Sequence, residues 1–422
     1  MASLTHRVED WLGKVSALRA LRHPDFRLLW IGALFSFTGS QIQSVAQGYY
    51  VYEMTNDKSK LALVMFFWAL PVMVLAPFSG AVADRLNRKT VLAWSQVLLM
   101  MSSAALAIAF YTNTLQFWHI YVTAFIGGII QNFEAPARQS IVRTVVGEED
   151  LSSAIPMQAM TFNLARIAGP ALGGVLASFG GAGICFAINS FSFLALIFAA
   201  ILIKADLRPT QLESSSIQDL LLDGIRFTFR HKSLRVLFLM EAATSVFGMF
   251  YLSQMPAIAK SMLGLDQAGL GICNSFIGAG ALIGLGFVST LSQKPIKPLL
   301  VRIAMLSFAF AMMLLGFVNK PIFAYPIFML MGASAIMQFN VTNTLFQLMA
   351  PDRLRGRVIA MHLWAISGLS PFGIYAFGQI AEKQSLHFAL WIGAGLLALS
   401  WLICLPYSLK IKETPLDPYS RE

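Results

Sequence analysis

The stretch Gly80-Ala-Val-Ala-Asp84-Arg85-Leu-Asn-Arg88-Lys89 places one acid and three bases between two long apolar runs. The runs cover about 60–83 and 90–110. A helix needs about 20 apolar residues to cross about 30 Å of hydrocarbon, so each run is long enough to span a membrane. The stretch is therefore predicted to be a short polar loop between two transmembrane helices.

Composition assigns the whole chain to the same class. Of 422 residues, 57% are hydrophobic and 12% charged, and the mean hydropathy is +0.66. Soluble domains carry about a quarter charged residues, so this chain has half the usual charge. The net charge of +10 lies in short tufts between apolar runs and not on one basic face, which argues against a nucleic-acid partner.

No metal or cofactor is expected. The three cysteines all lie inside apolar runs, and neither they nor the six histidines show ligand spacing. We interpret the cysteines as small buried side chains. The first apolar run begins near Leu28 and is too long for a cleavable signal, so it is predicted to be the first transmembrane helix.

Twelve apolar runs have the length of a transmembrane helix, and none shows the strict alternation of a barrel strand. They lie at about 28–52, 60–83, 90–110, 117–137, 154–178, 182–203, 234–256, 269–291, 298–317, 322–348, 358–380 and 386–408. The predicted fold class is all-α integral membrane, with twelve transmembrane helices in two pseudo-symmetric six-helix bundles. Duplicated six-helix units are how many secondary transporters are built.

The distribution of Lys and Arg predicts the orientation. With the N-terminus inside, 25 of the 31 bases lie in inner segments, five lie in outer loops, and Arg166 lies within a span. This bias follows the positive-inside rule. Both termini are predicted to be cytoplasmic, in a bacterial inner membrane. The predicted divisions are a cytoplasmic amphipathic segment 1–27, a bundle 28–203, a cytoplasmic linker 204–233, a second bundle 234–408 and a cytoplasmic tail 409–422.

The segment before the first helix has an apolar stripe with basic residues between its members. The stripe is Trp11, Val15, Leu18 and Leu21. We expect it to lie along the membrane surface, and a disordered basic tail is the alternative.

The opening loop, Gly80-x-x-x-Asp84-Arg85-x-x-Arg88-Lys89, resembles the signature of the major facilitator superfamily between helices 2 and 3. Gly169-Pro170-x-x-Gly173-Gly174, preceded by Asn163-x-x-Arg166, is similar to the helix 5 motif of its antiporters. Together with Pro351-Asp-Arg353-Leu-Arg355-Gly-Arg357, they resemble the bacterial efflux branch that includes macrolide-efflux proteins and enterobactin exporters. The resemblance covers nearly the whole chain.

The resemblance implies that the first motif gates the transporter on its cytoplasmic side. Asp84 could accept hydrogen bonds from a helix N-terminus, and the three bases could pair with it or with anionic lipid headgroups. A tuft that only orients the chain is the alternative. We expect the helix 5 motif to form a rocking interface, with Gly280 and Gly284 as a matching face; ordinary helix packing is the alternative.

The chain departs from the family pattern at two places. The loop Ser292–Lys297 lacks the acid of its counterpart, and helix 1 carries Gln41, Gln43 and Gln47 where many proton-coupled antiporters carry a carboxylate.

Ionisable side chains within spans are costly and are therefore candidate functional residues. Arg166 is expected to face the interior, with a carboxylate or helix carbonyls as partner. Glu241 is the candidate to carry a proton or bind a cationic substrate, unless it extends to the inner surface. Glu134 is a weaker candidate, because it lies four residues from Arg138 and the two could pair on one helix face.

Uncharged polar side chains complete the candidate proton and substrate sites. They are Gln41, Gln47, Gln131, Asn132, Gln338, Asn340 and Asn343, with Gln43 and Tyr50 beside them on helix 1. Each of these could equally make a structural bond between helices.

The predicted function is secondary active transport by alternating access. The resemblance favours proton-coupled export of a small amphipathic molecule of the drug, macrolide or siderophore kind. The partners would be this molecule, protons and membrane lipid, and we expect a monomer. No phosphate-binding Gly-x-x-x-x-Gly-Lys motif is present, and no enzymatic activity is predicted. Uptake or facilitated diffusion is the alternative, as is a non-transporting sensor or scaffold.

Overall fold

The computed structural model describes residues 16–83, 87–203, 205, 217–291, 294–351, 354–411 and 413. Throughout these ranges the regular structure is helical and no strand occurs. A 3₁₀ helix precedes thirteen α-helices. The 3₁₀ helix is Ser16–Arg22, followed by α1 Pro24–Thr55, α2 Lys58–Ala83, α3 Arg88–Tyr111, α4 Phe117–Leu202, α5 Ile217–Arg230, α6 Lys232–Ala243, α7 Phe250–Ala257, α8 Gln267–Thr290, α9 Lys297–Leu315, α10 Pro321–Met349, α11 Arg355–Leu363, α12 Ser370–Lys383 and α13 Leu386–Ser408.

Each of the twelve apolar runs falls on a helix, and the all-α membrane fold is confirmed. Within the described ranges, nine segments are long and apolar enough to cross a membrane, and the segment Glu149–Leu202 holds two of the twelve runs. Helix α4 contains three runs because the chain continues as helix across two breaks. Gly147 (φ 70°) and Gly181 (φ 68°) adopt the left-handed conformation that glycine tolerates best, and each break separates two runs.

Two transmembrane helices are interrupted by π-helical turns. Thr244–Gly248 separates α6 from α7, and Trp364–Gly368 separates α11 from α12. A third π turn, Ile258–Met262, ends α7. Such turns are rare and frequently lie at functional sites.

The chain divides into two compact units. The first is Met1–Gln47 with Phe78–Glu213, and the second is Gly48–Pro77 with Ser214–Glu422. The second unit therefore includes the hairpin formed by the end of α1 and most of α2.

Inside the first unit, glycines bring backbones close together. A Cβ at Gly169 would meet the side chain of Gln41, and one at Gly173 would lie 2.8 Å from the carbonyl of Ile42. The helix 5 motif thus packs on α1 of its own unit.

The second unit repeats this arrangement. A Cβ at Gly373 on α12 would meet the carbonyl of Val246, in the π turn after α6. The fifth span of each predicted bundle thus packs on the first. Gly280 and Gly284, expected to match the helix 5 motif, lie against Met329 and Ala333 of α10.

The 3₁₀ helix docks on α4 of the first unit. The Asp150 carboxylate, 1% exposed, accepts from Arg22 at 2.8 Å and contacts His23 Nε2 at 2.8 Å, and Arg19 lies 3.5 Å away. The Ala20 amide donates to Ser153 Oγ at 2.9 Å. The described part of this segment is therefore folded, and the disordered alternative is wrong for it; Trp11 and Val15 lie outside the described residues.

The three cysteines are free and buried, as predicted.

Candidate functional site

A buried acid–base pair joins two helices of the second unit. Glu241 on α6 is 0% exposed and His362 on α11 is 3% exposed. The distance from Glu241 Oε2 to His362 Nδ1 is 2.8 Å. Glu241 Oε1 is buried and has no hydrogen-bond partner among the described residues. A buried carboxyl is stable only when it is neutral or paired, so this contact determines the state of both groups.

An amide network from α10 fixes the helix that carries Glu241. Gln338, which is fully buried, donates through Nε2 to the carbonyl of Met240 at 3.2 Å. Its Oε1 accepts from the Thr244 hydroxyl at 3.0 Å, at the start of the π turn. The ring of Phe346, also on α10, lies 5.9 Å from the His362 ring. Helix α10 thus packs against both members of the pair.

Glu241 does not extend to a surface, and that alternative is wrong. Its partner His362 was not among the candidates taken from the sequence. The sequence alone could have identified it, because His362 lies inside the apolar run 358–380 and imidazole is ionisable.

A second buried pair lies on α4 in the first unit. Arg138 Nε donates to Glu134 Oε1 at 2.8 Å, and both side chains are 4% exposed. The pair predicted from the spacing of four is confirmed. The guanidinium also stacks on the rings of Phe37 and Phe162, at 4.8 and 5.2 Å.

Arg138 borders a small pocket between α1 and α4. The pocket is mostly apolar, and the Gln158 side chain in its wall accepts from Arg138 Nη1 at 3.3 Å. The lining residues are Phe26, Leu29, Trp30, Ala33, Phe37, Arg138, Val142, Gln158 and Thr161.

Several uncharged candidates make bonds within or between helices. Asn132 donates to the Gly128 carbonyl and Asn340 to the Ile336 carbonyl, each in its own helix. Asn343 accepts from Gln347, also in its own helix. Gln41 lies against Gly169. Each of the four therefore has a contact within the protein, and their assignment to a substrate or proton site stays a prediction.

Gln43 lies at the centre of a polar cluster that the sequence did not single out. Its Oε1 accepts from Ser103 at 2.7 Å and from Asn189 at 2.8 Å, and its Nε2 donates to Gln47 at 3.3 Å. Gln47 is buried, and Gln131 is partly buried. The cluster joins α1 to α3 and to the last part of α4.

The first motif is only partly described. Asp84 and Arg85 lie outside the described residues, and Gly80 lies in the last turns of α2. Asn87 caps α3 by accepting from the amides of Lys89 and Thr90. Lys89 Nζ donates to the carbonyls of Ile201 and Ile203, each at 2.9 Å, at the end of α4.

Arg88 lies beside the same helix, with Nη1 3.4 Å from the Thr144 hydroxyl. The described bases of the motif therefore contact α4 within the first unit.

The Arg166 side chain is exposed, and among the described residues it has no carboxylate partner. That it faces the interior, with a carboxylate or helix carbonyls as partner, stays a prediction. Asn163, one turn earlier, donates back to the Ala159 carbonyl.

At the far end of the second unit, ion pairs hold the α1–α2 hairpin against later helices. Glu382 accepts from the Lys58 amide at 2.8 Å and lies 3.5 Å from Lys58 Nζ. Glu53 lies 3.5 Å from Lys260 Nζ. Gln254 donates to the Lys58 carbonyl at 3.1 Å.

A family model described as "Transmembrane secretion effector" matches residues 15–421. The chain belongs to this family, within the major facilitator superfamily. It is a multi-pass membrane transporter, as the resemblance implied.

Curated relatives agree with this assignment. The MFS-type transporter YfiS of Bacillus subtilis is 27% identical over 84% of this chain and 83% of its own. Macrolide efflux protein A of Streptococcus pyogenes is 22% identical over 90% and 95% of the two chains. The enterobactin exporter EntS of Shigella flexneri is 23% identical over 94% of each.

Among solved structures, the nucleoside transporter NupG superposes with a TM-score of 0.77, at 13% identity. The match covers 91% of this chain and 99% of that one, and it establishes the fold.

Proposed function

We propose that this transporter exports a small amphipathic organic molecule in exchange for protons, and that Glu241 carries the proton. The observation that supports coupling is the burial of Glu241 deep in a transmembrane helix with an ionisable partner. Ionisable groups are costly in a membrane and are retained where they act.

The direction and the substrate class rest on the relatives. Two of them are named as exporters, one of a macrolide and one of enterobactin. The chain's own composition agrees with this class. Aromatic residues make up 12% of the sequence and charged residues 12%, and a cavity with aromatic walls and few charges suits an amphipathic or weakly charged molecule.

The proposed orientation places both termini in the cytoplasm of a bacterial cell, following the distribution of Lys and Arg. The ion pairs of Lys58 and Glu53 would then lie on the outer side, where they would separate during release. Alternating access requires such contacts on each side to open in turn.

The test is transport in inverted membrane vesicles with an imposed proton gradient. A panel of macrolides, catecholate siderophores and cationic dyes should contain a compound that wild type accumulates. Glu241→Gln should reduce gradient-driven accumulation at least tenfold and retain downhill flux. Glu149→Gln is the matched control, since Glu149 is an exposed acid on α4. Unchanged gradient-driven transport in Glu241→Gln would remove Glu241 as the carrier.

Two other outcomes would replace the proposal. Accumulation only in right-side-out vesicles would make the transporter an uptake system. Absence of flux with every compound and gradient would favour a sensor or scaffold.

The gating motif has its own test. Asp84→Asn should lower the transport rate while the amount of protein in the membrane is unchanged, because only the bases orient the chain. Full activity in this variant would assign the motif to orientation alone.

A further inference from the structure

We propose that Glu241 and His362 together form one proton-binding site, in which Glu241 Oε2 holds the proton and donates it to His362 Nδ1 when the site is closed. This proposal rests on the proposed function and assigns the second half of its proton site.

The contact geometry determines where the proton lies. Glu241 Oε2 and His362 Nδ1 are 2.8 Å apart, and Glu241 Oε1 is buried with no hydrogen-bond partner in the part of the chain that the structure describes. An ionised carboxylate carries charge on both oxygens and would leave Oε1 unsatisfied at a high cost. A neutral carboxyl needs only one hydrogen bond from its O–H, which Nδ1 accepts. The closed site therefore carries one proton that it can exchange, on Glu241, and no net charge.

Among the described residues, His362 is the ionisable side chain for which the structure records a contact with Glu241. On α5 and α6, Arg226, Arg230, Lys232 and Arg235 have exposed side chains. The sequence of α10 contains no acid or base, and that of α13 contains one histidine, His387, near its N-terminus.

The remaining ionisable groups on the helix of His362 are Arg355 and Arg357, at its start. Arg357 is partly buried. His231, before α6, is buried and contacts the Phe227 carbonyl at 2.9 Å. The arginines keep their charge throughout the physiological range, so His362 is the titratable partner.

Separation of the two helices would exchange the proton. A hydrated glutamic acid ionises near pH 4.3 and a hydrated imidazolium near pH 6.5. When the site opens to water at about pH 5.5, the carboxylate gives up its proton and the imidazole takes one, so about one proton stays on the pair. When it opens at about pH 7, the carboxylate stays ionised and the imidazole is about one quarter protonated, so about three quarters of a proton is released.

The position of the pair favours such a separation. Each partner lies just before a π turn, Thr244–Gly248 after Glu241 and Trp364–Gly368 after His362. The two turns are joined by a hydrogen bond from the Ser245 hydroxyl to the Ile366 carbonyl. Irregular turns are where a helix bends, so the pair controls the approach of two helices at their flexible points.

Infrared spectroscopy of the protein in lipid nanodiscs tests the site without any substrate. Wild type should show a protonated carboxyl C=O band at neutral pH that Glu241→Gln removes. His362→Asn should move the titration midpoint of this band by at least about one pH unit, a tenfold change in proton affinity. His387→Asn, which changes a partly exposed histidine beside Asn319, is the matched control. It should change neither the presence of the band nor its titration midpoint.

The proposal is overturned if wild type and Glu241→Gln have the same band at neutral pH, or if His362→Asn leaves the midpoint in place. Variants are compared only when they elute as a single species in size-exclusion chromatography. If Glu241→Gln does not, Glu241→Asp replaces it and should shift the carboxyl band; if His362→Asn does not, His362→Gln replaces it. The vesicle assay reports separately. If the band appears as expected but no gradient-driven export is measured, the proton site is supported and the proposed function is rejected. If export is measured but the band is absent, the proposed function is supported and the proton site is rejected.

Discussion

Two buried acid–base pairs in the described part of this transporter differ in the base and in the number of helices that they join. Glu134 and Arg138 lie one turn apart on α4, and the arginine is also stacked on two phenylalanine rings. Glu241 and His362 come from α6 and α11, 121 positions apart. Arginine stays charged at every physiological pH, whereas histidine changes its charge in that range. The first pair is a permanent part of the packing, and the second is able to respond to protons.

Removal of Arg138 should have the largest effect on stability. Arg138→Met leaves Glu134 buried without its charge partner and should lower the free energy of unfolding by about 3–5 kcal/mol. The measurement is a denaturant or thermal unfolding curve of the purified protein. Arg166→Met is the control, since that arginine is exposed.

The double variant Glu134→Gln/Arg138→Met sharpens this result. It removes both charges and should recover most of the loss. A double variant as unstable as Arg138→Met would mean that the stacking on Phe37 and Phe162, and not the charge, dominates.

The second prediction contrasts the pairs by pH. Amide hydrogen exchange of the π turns 244–248 and 364–368 should change several-fold more between pH 5.5 and 7.5, after correction for the intrinsic rate, than exchange of 134–138. The reason is that the proposed proton exchange takes place at Glu241 and His362, whereas Arg138 keeps its charge at both pH values. Glu241→Gln should abolish the excess change, and an equal response at 134–138 would remove the distinction between the pairs.

Prediction from the sequence succeeded where it depended on neighbours in the chain. The twelve runs, the Glu134–Arg138 pair and the burial of the cysteines follow from periodicity, a spacing of four and hydropathy. Glu241 was identified because an acid in an apolar run is conspicuous. His362 was missed since its pairing depends on how α6 and α11 pack, and spacing along the chain does not report this. That Arg166 has a partner stays a prediction, and the neighbouring turns of α4 supply no acid.

The third prediction concerns Lys89, a base whose partners are carbonyl oxygens, and a smaller change in stability. Lys89 Nζ donates to two carbonyls at the end of α4, where a helix terminus favours a cation. Lys89→Met should lower the free energy of unfolding by about 1–2 kcal/mol. Lys89→Arg should retain most of the stabilisation that Lys89 provides. Equal losses in both variants would show that the positive charge does not provide it.

Asp57, an acid held by hydrogen bonds and by the nearby charge of Lys60, gives the smallest effect. Burial opposes the ionisation of Asp57, but hydrogen bonds from the Ser59 hydroxyl and from the Ser59 and Lys60 amides hold its pKa below the usual value. A lowered pKa stabilises the folded state above the pKa of the unfolded chain, and this contribution is lost as the pH falls through the folded value. Asp57→Ala should lower the free energy of unfolding by about 1 kcal/mol at pH 7. In strong acid the two proteins should be equally stable, and unfolding curves at both pH values measure this.

The three cysteines have a practical consequence for following these helices. Cys185, Cys273 and Cys404 are all buried, and a thiol reacts only where a reagent can reach its thiolate. The native chain is therefore already suited to site-directed labelling with maleimide dyes or spin labels. A cysteine introduced at an exposed position such as Arg166 would be the accessible thiol, so distances could be recorded during transport without first replacing the native residues.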